Sequence, residues 1–161
     1  MEKQNNSLKS TIISIVVVLF IVGTYFLIDF NQLIQSFKGD VDYVTQDSSC
    51  NLKKESCKIV LQDGTEFILS VDPKEIPLMK EITFSIKSNN PNLKNLTLNI
   101  YSTTMYMGEY FLDIKNLGDG NYEAIGTLPT CYVDNMKWNA DIIVDKTTHS
   151  IGARFQFETR I

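Results

Sequence analysis

About eight stretches of the chain alternate apolar and polar positions with a period of two, the pattern of a strand with one buried face. They cover residues 57–62, 65–71, 81–88, 95–102, 109–117, 121–128, 137–145 and 150–159. Ile82, Phe84 and Ile86 alternate in the third, and Leu96, Leu98 and Ile100 in the fourth. Trp138, Ala140, Ile142 and Val144 do so in the seventh, and Ile151, Ala153, Phe155 and Phe157 in the eighth. Asp63-Gly64 and Gly118-Asp119-Gly120 stand between apolar runs and predict hairpins. Asp72-Pro73 and Ile76-Pro77 break the chain, and Thr147, Thr148 and His149 form a turn before the last strand. No strand–helix–strand alternation, repeat or low-complexity tract intervenes. The pattern predicts an all-β fold: an antiparallel β-sandwich of immunoglobulin-like size over residues 49–161. Trp138 is expected inside it, with its indole N–H paired.

The N-terminus follows a different rule. From Leu8 to Ile28 the only charge is Lys9, and Val16, Val17, Val18, Leu19 and Phe20 leave a helix no polar face. Such a run spans about 30 Å as a helix, roughly one hydrocarbon thickness. It predicts one transmembrane helix over 8–30, after a cytoplasmic tail, 1–7, and before a linker, 31–48. A buried core helix is the competing reading. Lys3 and Lys9 precede the span, whereas Asp29, Asp40 and Asp42 follow it with only Lys38 between. That asymmetry predicts an N-in, single-pass protein of the cytoplasmic (inner) membrane with its sandwich on the extracytoplasmic, periplasmic side. No small-x-small cleavage motif follows the apolar run, so an uncleaved signal anchor is expected rather than a removed signal peptide.

The net charge of −4 falls entirely after residue 30, because Glu2, Lys3, Lys9 and Asp29 cancel. No basic patch with interleaved aromatics appears, which argues against a nucleic-acid partner. Nothing matches a nucleophile elbow, a P-loop or a zincin helix, so no enzyme is expected. Cys131 with His149 is the one nucleophile–base pair to weigh.

Three cysteines matter in an oxidising compartment. Cys50 and Cys57 bracket six residues and are expected to form a local disulfide. A metal pair is the alternative, although the spacing is wide for a zinc knuckle. Pairing of either with Cys131 is also compatible with the spacing. Met105 and Met107 sit two apart beside Gly108, and Cys131 and Met136 fall in the next long loop but one. Alternating strand direction returns both connections to one end of a sandwich. Thioethers and thiolate are soft ligands suited to Cu(I), which makes Met105, Met107, Cys131 and Met136 a candidate metal set. The competing reading is plain packing, since Met fills gaps and buried Cys behaves as a small hydrophobe. Met79 is read as packing, and His149 as solvated.

The segment from Met105 to Asp145 resembles the FixH/YtkA-like family of membrane-anchored extracytoplasmic domains. The resemblance is carried by Met105-x-Met107-Gly108, Gly120-x-Tyr122, Leu128-Pro129-x-Cys131 and Met136-x-Trp138, together with the single N-terminal span. It implies a role in copper handling and cytochrome oxidase assembly, with a membrane-bound oxidase or copper-handling protein as partner. The Cys50–Cys57 region departs from the family pattern.

Overall fold

The computed structural model describes residues 13–18, 41–144 and 150–160. The chain divides into two compact units, Met1–Gly39 and Asp40–Ile161. In the first, residues 13–18 are helical, and Ile13, Ile15, Val16, Val17 and Val18 are all exposed. Among the described residues no helix is long and apolar enough to cross a membrane. The expected tail, 1–7, and most of the expected span, 8–30, lie outside the described residues, as does His149.

The second unit is all β. Its strands are β1 (Val41–Thr45), β2 (Cys57–Val60), β3 (Glu66–Asp72), β4 (Glu81–Ser88) and β5 (Leu96–Ser102). There follow β6 (Glu109–Leu112), β7 (Ile114–Gly118), β8 (Asn121–Thr127), β9 (Asn135–Val144) and β10 (Ser150–Arg160). They form two five-stranded sheets, one in the order β1-β10-β9-β5-β6 and the other β2-β3-β4-β8-β7. Alternation puts every second side chain between the sheets. Phe67, Leu69, Phe84, Ile86, Leu98, Ile100, Ile142 and Phe155 are buried there. Each large apolar side chain so buried contributes about 1.5–3 kcal/mol. Trp138 is 1% exposed, donates Nε1–H to Thr159 Oγ1 at 2.9 Å, and stacks on Phe157. The expected pairing of its indole is thereby met.

Two differences from the sequence pattern concern the margins of the sheets. The linker expected over 31–48 contains β1, which pairs with β10 in parallel, so one pair departs from the antiparallel rule. Val44 packs on the core, and the Tyr43 ring lies over Gly152, where any Cβ would meet it at 2.7 Å. The single strand expected over 109–117 is two. It breaks at the exposed Asp113, with β6 pairing to β5 in one sheet and β7 to β8 in the other. Both hairpins form where expected. Gly120 has φ +75°, and a Cβ there would run into the Ser88 carbonyl, so the β7–β8 turn requires glycine.

The disulfide joins Cys50 to Cys57, leaving Cys131 as the free thiol. This removes both the metal-pair reading and a bridge to Cys131. Leu52, fully buried, plugs the bridged loop into the core.

The outer face of the β1–β6 sheet carries a polar cluster. Asp141, 1% exposed, accepts from Arg154 Nε at 2.9 Å, Arg154 Nη2 at 2.8 Å and the Tyr101 hydroxyl at 3.1 Å. Asn139 donates to the Tyr101 hydroxyl, and Gln156 donates to Asn139 Oδ1. The Arg154 guanidinium sits 4.0 Å over the Tyr43 ring. Burial, then the Asp141 charge, pushes the Tyr43 phenol up to about 12, with Arg154 working in the opposite direction.

Candidate functional site

Strand direction gathers four connections at one end of the sandwich. Glu81 opposes Thr127, so the loop entering β4 meets the loop leaving β8. Ser102 opposes Trp138, so the loop leaving β5 meets the loop entering β9. Segments 73–80, 103–108 and 128–134 therefore share one rim, next to the disulfide-bridged segment 46–56. Val41, where the chain enters β1, lies at the other end, opposite Ser150.

The rim is stitched by backbone-directed bonds. Thr103 N–H and the Ser102 hydroxyl donate to Lys137 O at 2.9 and 3.2 Å. Lys137 N–H donates to Thr104 Oγ1 at 2.9 Å. The Ser102 hydroxyl oxygen accepts from Thr104 N–H and Met105 N–H, which sets the turn that aims Met105. Gly108, with φ +89°, then lets the chain reverse into β6, and the Tyr110 hydroxyl donates to Met107 O at 2.9 Å.

This geometry brings part of the expected sulfur set together. The Cys131 thiol donates to Met105 Sδ at 3.0 Å, and both residues are half-buried against the core. Met107 is half-buried in the same loop as Met105, while Tyr106 between them is 85% exposed. The two methionines thus share an inward aspect, as their spacing predicts. Met136 does not belong to the rim loops. It is the second residue of β9 and is 1% exposed, placed inward by the same alternation that buries Trp138. A side chain so enclosed fills the core.

Two features of the rim escape the sequence pattern. Met79, read as packing, is 65% exposed because its backbone turns left-handed (φ 57°) and its N–H donates to Leu128 O at 2.8 Å. That bond sets an exposed thioether on the rim beside Leu128, three residues before Cys131. Tyr132, beside Cys131, is also 85% exposed, so an exposed tyrosine flanks each partner of the sulfur pair. No periodicity marks loop residues of this kind.

Among the described residues no three His, Cys, Asp or Glu side chains converge on a point. The donors that do converge here are a thiol and a thioether, both soft. Cys131 as thiolate and Met105 as thioether would be the residues to hold a soft ion here. Compared with protein-family models, curated proteins and solved structures, the chain has no significant match.

Proposed function

We propose that the chain is a membrane-anchored, extracytoplasmic Cu(I)-binding module that passes copper to a membrane-bound acceptor, such as a respiratory oxidase during assembly. The observation that carries this reading is the 3.0 Å contact between Cys131 and Met105 on an accessible rim. Cys131 would bind as thiolate and Met105 as thioether, with Met107 in the same loop as a third donor. A site of two or three soft donors holds Cu(I) and releases it readily, because an incoming ligand meets an open coordination position. The module binds and transfers; it performs no catalysis.

The remaining support is architectural. The exposed apolar side chains of residues 13–18 and the charge-poor run around them favour an anchor. Tethering raises the effective concentration of the module near a membrane acceptor. The sheet orders, with β1 parallel to β10 at one margin, favour an immunoglobulin-like assignment. The likeness of the Met105–Trp138 motifs to the FixH/YtkA-like pattern points to the same chemistry.

The test is Cu(I) titration of the full chain in detergent micelles against a chromophoric chelator under reducing conditions. One tightly held ion is expected, lost in Cys131→Ser and weakened in Met105→Ala, with Met136→Leu indifferent. Uptake that ignores Cys131 and Met105 sinks the proposal.

A second reading is favoured by Tyr106 and Tyr132, whose exposure suits a docking surface for a protein of a membrane complex. Under it the sulfurs only pack and no metal binds. Cross-linking through a photoreactive residue at position 132 would then trap the same partner in wild type and in Cys131→Ser.

A further inference from the structure

A groove of about 690 Å³ lies between the bridged segment 46–53 and the outer face of β9 and β10. This is within the roughly 300–1,000 Å³ of sites that enclose small molecules. It uses none of the rim sulfurs and stands independently of the copper reading.

The wall of the groove is built rather than draped. The Cys50–Cys57 bridge closes it, and Leu52 anchors it in the core. The Asp47 carboxylate accepts from Ser49 N–H, and Asn51 Oδ1 accepts from Lys53 N–H, fixing two successive turns. Lys74 Nζ donates to the Leu52 and Glu55 carbonyls from behind. Gln46 ties wall to floor, donating through Nε2 to Gln156 O at 2.9 Å and through its backbone N–H to Arg154 O at 3.0 Å. A wall held this way does not have to be ordered when a ligand arrives.

The lining is polar and cationic. Lys53, Lys137 and Arg160 border it against Glu158, with the Asp47 carboxylate held by Ser49 on the wall, in a chain whose acidic residues outnumber its basic ones. Among the described residues neither Lys53 nor Arg160 is in an ion pair, and Lys137 meets Glu158 only at 3.9 Å. Asn139 and Gln156 supply an amide floor whose mutual bond holds both side chains in place. A local surplus of positive charge over fixed amides is the chemistry that recognises anionic oxygens.

We infer that this groove binds a small di- or tri-anion carrying carboxylate or phosphate groups, with Lys53, Lys137 and Arg160 as its charge contacts. Citrate and pyrophosphate serve as the two probes. Each is titrated into isotope-labelled full chain in a non-ionic detergent, and amide shifts are followed by NMR. Saturable shifts at Lys137, Asn139 and Gln156 are expected with at least one probe. Lys137→Gln combined with Arg160→Gln should weaken that binding by about ten-fold, the loss of roughly two exposed charge contacts. Lys115→Gln, on the exposed side of β7 and outside the groove, should leave it unchanged. Both targeted residues are exposed, so the variants fold. Absence of saturation by both probes, or equal weakening by Lys115→Gln, overturns the inference.

Discussion

Removing Arg154 should harm the protein more than neutralising Asp141, although the two form one ion pair. The pair is lopsided: the Asp141 side chain is 1% exposed and that of Arg154 is 26% exposed. Arg154→Met strips the carboxylate of two charge-assisted bonds, at 2.9 and 2.8 Å, and leaves it with the Tyr101 hydroxyl at 3.1 Å. A buried charge whose partner is removed costs about 3–5 kcal/mol. Asp141→Asn instead leaves the cation orphaned. Arg154 already reaches solvent and lies over the Tyr43 ring, so it rehydrates, and the expected cost is about 1–2 kcal/mol. Replacing both, Arg154→Met with Asp141→Leu, should recover much of the Arg154→Met loss, because no charge is then stranded. The assay is urea unfolding of the full chain in detergent, followed by Trp138 fluorescence; wild type, Arg154→Met, Asp141→Leu and their double variant form the double-mutant cycle, with Asp141→Asn measured beside it. Equal costs for the two single variants, or a loss under about 1 kcal/mol for Arg154→Met, would show a solvated surface pair and refute the reasoning.

Two further expectations use the same unfolding assay. Cys50→Ala with Cys57→Ala opens a loop of sequence separation 7, for which chain entropy gives a loss of about 2.5 kcal/mol; a loss near zero would mean that Leu52 and Lys74 hold the segment alone. Tyr43 has its phenol raised from 10.0 to about 12, so the folded state retains a proton that the unfolded state gives up first. Its contribution is present in full below about pH 10 and is lost as pH rises towards 12, and Tyr43→Phe should flatten that decline. An unchanged alkaline slope in Tyr43→Phe would count against the shift.

Much of the fold was legible because period-two alternation and turn chemistry are local. Trp138, Ala140 and Ile142 reveal their inward face without knowledge of any partner strand. β1 was not legible, since five residues form a strand here only by pairing with β10 at the far end of the chain. The break at Asp113 was hidden for a related reason. Tyr110, Leu112 and Ile114 keep alternating across it, although the chain moves from one sheet to the other. Among the sulfurs, strand direction was enough to bring Met105 and Cys131 to one rim. Met136 reads as a loop residue near Cys131, although the alternation Met136, Trp138, Ala140 places it inside. The exposure of Met79 depends on a left-handed turn and one bond to Leu128, which hydropathy does not encode.

On each long side of the sandwich the chain crosses from one sheet to the other, through residues 46–56 between β1 and β2 and through Asp113 alone between β6 and β7. The two layers are thus covalently joined along both long sides. The contact between Cys131 and Met105 joins two loops at one end, 128–134 and 103–108, so a docking partner reaches it without crossing either joined side.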